Sequence, residues 1–141
     1  MPTKFANAVW KGDLKGGNGN VNVESGTFDA GYSFASRFES GKGTNPEELI
    51  AAAHAGCYSM ALSNELASAG HHPESVETKA EVVLEMTNGP EITTIKLISK
   101  AHVPGIDREE FMKIANGAKE GCPVSKALAG PEITLDITLE N

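Results

Sequence analysis

The stretch that most constrains the fold is residues 44–66, TNPEELIAAAHAGCYSMALSNEL. Asn45 is a capping residue, Pro46 suits the first helical position, and Glu48 follows Asn45 at capping-box spacing. From Leu49 to Leu62 the side chains are apolar or small on nearly every side, interrupted by His54, Tyr58 and Ser59. A helix apolar all round is buried all round, so this one belongs at the centre of a core or of a subunit interface. Cys57, one of two cysteines in the chain, lies in its middle. Gly70, with Pro73 beyond it, predicts where the helix stops.

The flanking sequence supplies strands. Residues 5–11 alternate loosely and end at Gly12-Asp13, and residues 21–23 form a second short run. Residues 31–39, GYSFASRFE, place Tyr32, Phe34 and Phe38 on one side and Ser33, Ala35 and Arg37 on the other, which predicts a third strand. Val76, Thr78, Ala80, Val82, Leu84 and Met86 alternate with charged residues, the pattern of a long strand with one wet face. Asn88-Gly89-Pro90 turns the chain into a second long strand over 92–103, ended by Pro104-Gly105. Asp107 caps a predicted helix running to about Lys119, with Phe111, Ile114, Ala115 and Ala118 on its apolar stripe and Gly121 as its stop. Cys122-Pro123 opens a short helix, and a last strand points Ile133, Leu135, Ile137 and Leu139 inward. Runs of strands and helices, without strict alternation, predict an α+β fold: a largely antiparallel sheet packed on the long central helix. The 141 residues suit a single domain, 1–141.

Charge and cysteine usage exclude several function classes. A net charge of −7 with no basic run argues against sequence-independent nucleic-acid binding. The first residues lack the apolar core of a signal peptide, and His54 and polar flanks interrupt the best apolar stretch, so no membrane partner and a cytoplasmic location are expected. Two cysteines in a reducing compartment are buried inert thiols or chemically active ones, rather than a static bridge. Gly16, Gly17 and Gly19 precede neither a P-loop lysine nor a helix start, and the cysteines and histidines lack zinc-ligand spacing.

Residue types alone leave the chemistry open. Cys57 on an apolar helix reads first as a packed thiol. Cys122 stands at a helix start, where free N–H groups favour a thiolate. His54 precedes Cys57 by three residues and shares its helix face, the arrangement of a cysteine hydrolase or transferase. Arg37 reads as a solvated charge, and Glu47 and Glu48 as carboxylates in a favourable first turn. A dithiol enzyme, a Cys57–His54 hydrolase and a ligand-binding domain with incidental thiols all fit these residues.

The segment FASRFESGKGTNPEELIAAAHAGCYSMAL, with GCPVSKAL downstream, closely resembles the OsmC branch of the OsmC/Ohr family of thiol peroxidases. The likeness extends over essentially the whole chain, through AVWKGDLKGGNGNV, VPGID and EITLD. It implies reduction of hydroperoxides, organic ones preferentially, with two cysteines, no metal and no bound cofactor. By position, Cys57 matches the peroxidatic cysteine, Cys122 the resolving one, Arg37 the arginine that holds the thiolate, and Glu47 the carboxylate that orients the arginine. The resemblance also implies an intertwined homodimer with its sites at the interface, and an external dithiol reductant of lipoyl or small-molecule type. Glu47 and Cys57 are ten residues apart on one predicted helix, ~15 Å along its axis and roughly 80° around it. One arginine cannot contact both on a straight helix, so either the helix breaks between them or the site is shared across the dimer; residues 49–56 hold no proline and Gly56 is a weak breaker, so the shared site is expected.

Overall fold

The computed structural model describes residues 1–140, which divide into one unit spanning Met1–Leu49 and a second beginning at Ile50. In the first, strands β1 (Ala6–Lys11), β2 (Asn18–Val23) and β3 (Asp29–Tyr32) form an antiparallel sheet in that order. Trp10 and Tyr32 pack with ring centroids 5.3 Å apart over Gly19, where a Cβ would lie 2.6 Å from a carbon of each ring. Only glycine leaves room for that aromatic lid.

The expected strand over 31–39 is corrected. β3 ends at Tyr32, and Phe34–Phe38 forms a short helix, α1. Two serines decide this. The Ser36 N–H donates to Ser33 Oγ (3.1 Å) and the Ser33 N–H donates to Ser36 Oγ (2.8 Å), a reciprocal cap that β pairing cannot match. Phe34 and Phe38, four apart, then stack with centroids 4.9 Å apart on one helix face. Arg37 therefore sits in the last turn of a helix rather than on a strand.

The long helix α2 (Pro46–Ser68) begins as its sequence dictates, with the Glu48 N–H donating to Asn45 Oδ1 at 2.7 Å. The Glu48 carboxylate accepts from Thr44 Oγ1 at 2.7 Å, so the second half of the expected capping box is replaced by a contact one residue earlier. At the far end Gly70 adopts φ 87°; its N–H donates to Ala67 O (2.9 Å) and that of His71 to Leu66 O (2.9 Å), a Schellman stop.

In the second unit β4 (Ser75–Glu85), β5 (Glu91–His102) and β6 (Glu132–Leu139) form another three-stranded sheet in that order. β4 and β5 are antiparallel, but β5 and β6 run parallel, from Thr94 opposite Glu132 to Ala101 opposite Leu139. The expected largely antiparallel sheet is thus two sheets, one of them mixed. Helices α3 (Arg108–Gly121) and α4 (Pro123–Ala127) supply the long crossover that a parallel pair requires. Asp107 caps α3 through the Glu110 N–H at 3.2 Å.

The core of this unit joins three elements: Tyr58, Leu62 and Leu66 of α2, Leu97 and Ala101 of β5, and Phe111, Ala115 and Ala118 of α3. Tyr58 donates its hydroxyl to Ala115 O at 2.9 Å, so its polar tip is satisfied inside that core. Burial all round the helix is not what one chain provides. His54, Tyr58, Leu62 and Leu66 form a single buried stripe, whereas Ala52, Ala53, Gly56 and Met60 are exposed.

Candidate active site

Cys57 is carried on α2 and is partly exposed; Cys122 is fully buried at the junction of α3 and α4. Pro123 explains the junction. It cannot donate a backbone bond and it disfavours helical geometry in the residue before it, so Cys122 turns out to ψ 124° between the two helices. The Cys122 N–H still closes α3 on Ala118 O (2.9 Å), while its carbonyl accepts the Lys126 N–H of α4 (3.1 Å). The sulfur is left facing Cys57 Sγ at 2.8 Å, both thiols unbridged.

The two thiols are shifted in opposite directions. Burial raises the Cys57 thiol, the neighbouring Cys122 sulfur raises it further, and the Val124 N–H only partly offsets them. Burial also acts to raise Cys122. There the Cys57 thiol, the Ser125 N–H and hydroxyl and the Val124 N–H together outweigh burial and bring it below its ordinary value.

The first unit holds the other pair. Arg37 donates from Nε to Glu47 Oε1 (3.0 Å) and from Nη2 to Glu47 Oε2 (2.9 Å), the two-pronged fit of guanidinium on carboxylate. Glu47 is buried in the first turn of α2, while the Arg37 side chain remains 35% exposed. Their register is set by α1 and the loop after it. Ser36 Oγ donates to Thr44 O (2.7 Å), and Asn45 Nδ2 donates to Ser36 O (3.0 Å).

His54 is fully buried, and its Nε2 lies 2.7 Å from Ser125 Oγ. Its Nδ1 has no hydrogen-bond partner among the described residues. Burial lowers its pKa, which favours the neutral ring. No group of three His, Cys, Asp or Glu side chains is placed to hold a metal ion among the described residues.

The model of the family described as OsmC-like protein matches residues 39–138, which include α2, both cysteines and Glu47. The chain belongs to the OsmC-like family. Peroxiredoxin OsmC of Escherichia coli strain K12 is 51% identical over 140 residues, covering 98% of this chain and 97% of that protein. Organic hydroperoxide resistance protein OhrB of Bacillus subtilis is 29% identical over 124 residues, 86% of this chain and 88% of its own. The crystal structure of that OhrB superposes with a TM-score of 0.68 at 25% identity, over 96% of this chain and 98% of the other. An OsmC-like protein of Mycoplasma pneumoniae shares the fold alone, with a TM-score of 0.75 at 19% identity over 99% of each chain.

Within this OsmC-like chain the sequence-predicted site residues fall into two pairs, Cys57 with Cys122 and Arg37 with Glu47. His54, three residues before Cys57 on α2, bonds Ser125. Ser125 was missed by sequence reasoning. Its signal was the spacing GCPVS, which puts a hydroxyl three residues past Cys122, where a first-turn side chain can turn back on the residue that starts its helix.

Proposed function

We propose that this chain is a cysteine-dependent peroxidase that reduces hydroperoxides, organic ones before hydrogen peroxide, to the alcohol and water. The observation that carries the reading is the 2.8 Å approach of two unbridged sulfurs, one partly exposed and one fully buried. Peroxide reaches the exposed sulfur, and the buried one waits behind it.

Cys57 Sγ, as thiolate, attacks the terminal peroxide oxygen. The O–O bond breaks, the alkoxide leaves as alcohol after taking a proton, and Cys57 becomes a sulfenic acid. Cys122 then closes a disulfide with release of water, and an external dithiol, of lipoyl or small-molecule type, restores both thiols. Because burial and the neighbouring Cys122 raise the Cys57 thiol, its attack as thiolate calls for a cation beside it.

Arg37 is the cation in this reading, held in orientation by Glu47. α2 runs unbroken from Pro46 to Ser68, so Glu47 and Cys57 are ~15 Å apart along one axis. The Arg37–Glu47 pair of one chain thus serves Cys57 of a second copy in a homodimer, as part of one functional domain. The exposed Ala52, Ala53, Gly56 and Met60 of α2 support this, since a second copy would cover them and complete the burial such a helix calls for. No helix among the described residues is long and apolar enough to cross a membrane. Reversible thiol chemistry suits the cytoplasm, where dithiol reductants are available, and the role is defence in oxidative and osmotic stress.

A hydrolase using His54 as base loses support, because the His54 Nε2 is engaged with Ser125. Rapid-mixing consumption of cumene hydroperoxide against hydrogen peroxide, with dihydrolipoamide as reductant, tests the reading. Fast turnover favouring the organic peroxide is expected, and esterase activity without peroxide consumption would overturn it.

A further inference from the structure

The segments that carry the two thiols are tied together a second time. Cys57 Sγ lies 2.8 Å from Cys122 Sγ, and His54 Nε2 lies 2.7 Å from Ser125 Oγ. His54 precedes Cys57 by three residues on α2, and Ser125 follows Cys122 by three at the start of α4. Helical residues three apart share a face, one turn from each other. The thiol pair and the hydrogen bond are therefore two rungs, about one turn apart, between the same two segments. The reaction as written uses the sulfur rung and leaves the other without a role.

α4 needs that second rung. It has five residues, Pro123–Ala127, against the ~12–15 below which a helix is marginal unaided. No side-chain hydrogen bond caps its start. Among the described residues, the buried apolar core takes Tyr58, Leu62 and Leu66 from α2 and Phe111, Ala115 and Ala118 from α3, but nothing from α4. The residue that α4 buries is Ser125, and its hydroxyl is the group that meets His54. Two thiols hold each other weakly, because S–H is a poor donor and sulfur a poor acceptor. The sulfur approach does not by itself fix α4 against α2.

His54 is a costly way to fill its place on stability alone. It is fully buried on the stripe that continues through Tyr58, Leu62 and Leu66, and its Nδ1 has no hydrogen-bond partner among the described residues. An apolar side chain would pack there without stranding a ring nitrogen. It could not hold a hydroxyl at a set distance and direction. The imidazole does so in either tautomer, since a hydroxyl both donates and accepts.

We propose that the His54–Ser125 hydrogen bond is a pin that keeps Cys122 beside Cys57 between the chemical steps, so that His54 and Ser125 are positioning residues for closure of the disulfide. For its place in the reaction the inference rests on the peroxidase reading above. Once Cys57 is a sulfenic acid, Cys122 Sγ attacks its sulfur as thiolate. The S–S bond forms, the S–O bond breaks, and the departing hydroxide takes a proton to leave as water. A second hydroperoxide competes by transferring an oxygen to the sulfenic acid, which gives a sulfinic acid and an alcohol. Closure wins only while Cys122 is within reach, and a displacement of ~1 Å is enough to slow such a step about a hundredfold. The pin holds α4 at the stage when no bond yet joins the sulfurs.

Two measurements on the whole chain test this. The first is the equilibrium of the Cys57–Cys122 disulfide with dithiothreitol, which reads how well the fold brings the sulfurs together and involves no peroxide. Ser125→Ala and His54→Leu each shift it about tenfold toward the dithiol, the scale of one lost hydrogen bond. Ser125→Thr and His54→Gln, which keep a hydroxyl and a side-chain N–H, restore most of the shift. The double variant of Ser125→Ala with His54→Leu goes no further than either alone, because both cut one bond. The second measurement is closure after one equivalent of cumene hydroperoxide, which slows about tenfold relative to sulfenic acid formation. With excess peroxide, mass spectrometry then finds more sulfinic Cys57 than in the unaltered chain. Ser125→Ala removes a single oxygen atom and decides the matter if His54→Leu does not fold. A Ser125→Ala chain that loses stability in urea but keeps the unaltered disulfide equilibrium overturns the inference, and so do additive shifts in the double variant. A shifted equilibrium in a chain whose Cys57 never forms a sulfenic acid overturns the peroxidase reading and leaves the pin standing.

Discussion

The dithiol and the ion pair are built in opposite ways. Cys57 and Cys122 are 65 residues apart, and their approach depends on α2 and α3 packing around Tyr58, Leu62 and Phe111. Arg37 and Glu47 are ten apart, and their approach depends on local bonds among Ser33, Ser36, Thr44 and Asn45. One pair is fixed by long-range burial and the other by turn and cap chemistry. The first therefore feels damage to the apolar core, and the second feels damage to a few buried and half-buried polar groups.

The largest effect separates the two thiols. Cys57→Ser abolishes turnover, because it removes the attacking atom. Cys122→Ser allows one fast oxidation of Cys57 and then stalls or over-oxidises, which mass spectrometry after one equivalent of peroxide will read as sulfenic or sulfinic Cys57. An unmodified Cys57 in that variant breaks the division of labour.

Next comes the charge. Arg37→Ala slows the first oxidation about a hundredfold, the scale of losing a preorganised donor at a developing charge. Arg37→Lys rescues poorly, since a lysine keeps charge but loses the fork that grips both Glu47 oxygens. Rapid-mixing kinetics at fixed pH measures both. A first-step rate untouched by Arg37→Ala would leave the ion pair a purely structural feature.

Stability sharpens the same comparison with smaller numbers. Leu62→Ala, in the core under the dithiol, costs ~2–5 kcal/mol of unfolding free energy. Asn45→Ala, which removes the cap beneath Glu47, costs ~1 kcal/mol. Urea denaturation gives both, and equal costs would show that the two pairs are not held by different physics.

What the residues disclosed follows the same divide. The cap at Asn45, the glycine stop at Gly70, the Asp107 cap and the alternation of β4 and β6 are local, and each reads directly from a few neighbouring side chains. α1 was hidden because a five-residue helix is too short to show a period, and its aromatic residues mimic strand alternation. The parallel pairing of β6 was hidden because its side-chain pattern is the same whichever way the neighbouring strand runs. In the candidate site, the family motif pointed to Cys57, Cys122, Arg37 and Glu47, while Ser125 and the true partner of His54 needed three-dimensional packing. The single buried stripe of α2 was equally invisible, since an all-round apolar helix does not say which face its own chain covers.

The proposal to be tested is that the Arg37–Glu47 pair of one chain serves Cys57 of a second copy in a homodimer. Inactive Cys57→Ser chains are mixed with Arg37→Ala chains, unfolded and refolded together, and assayed for cumene hydroperoxide consumption. Half of randomly paired dimers are mixed, and each carries one intact site, so about one quarter of wild-type activity returns. If both pairs of a site come from one chain, every site in the mixed dimers keeps a lesion. Activity no higher than the average of the two parents would contradict the account.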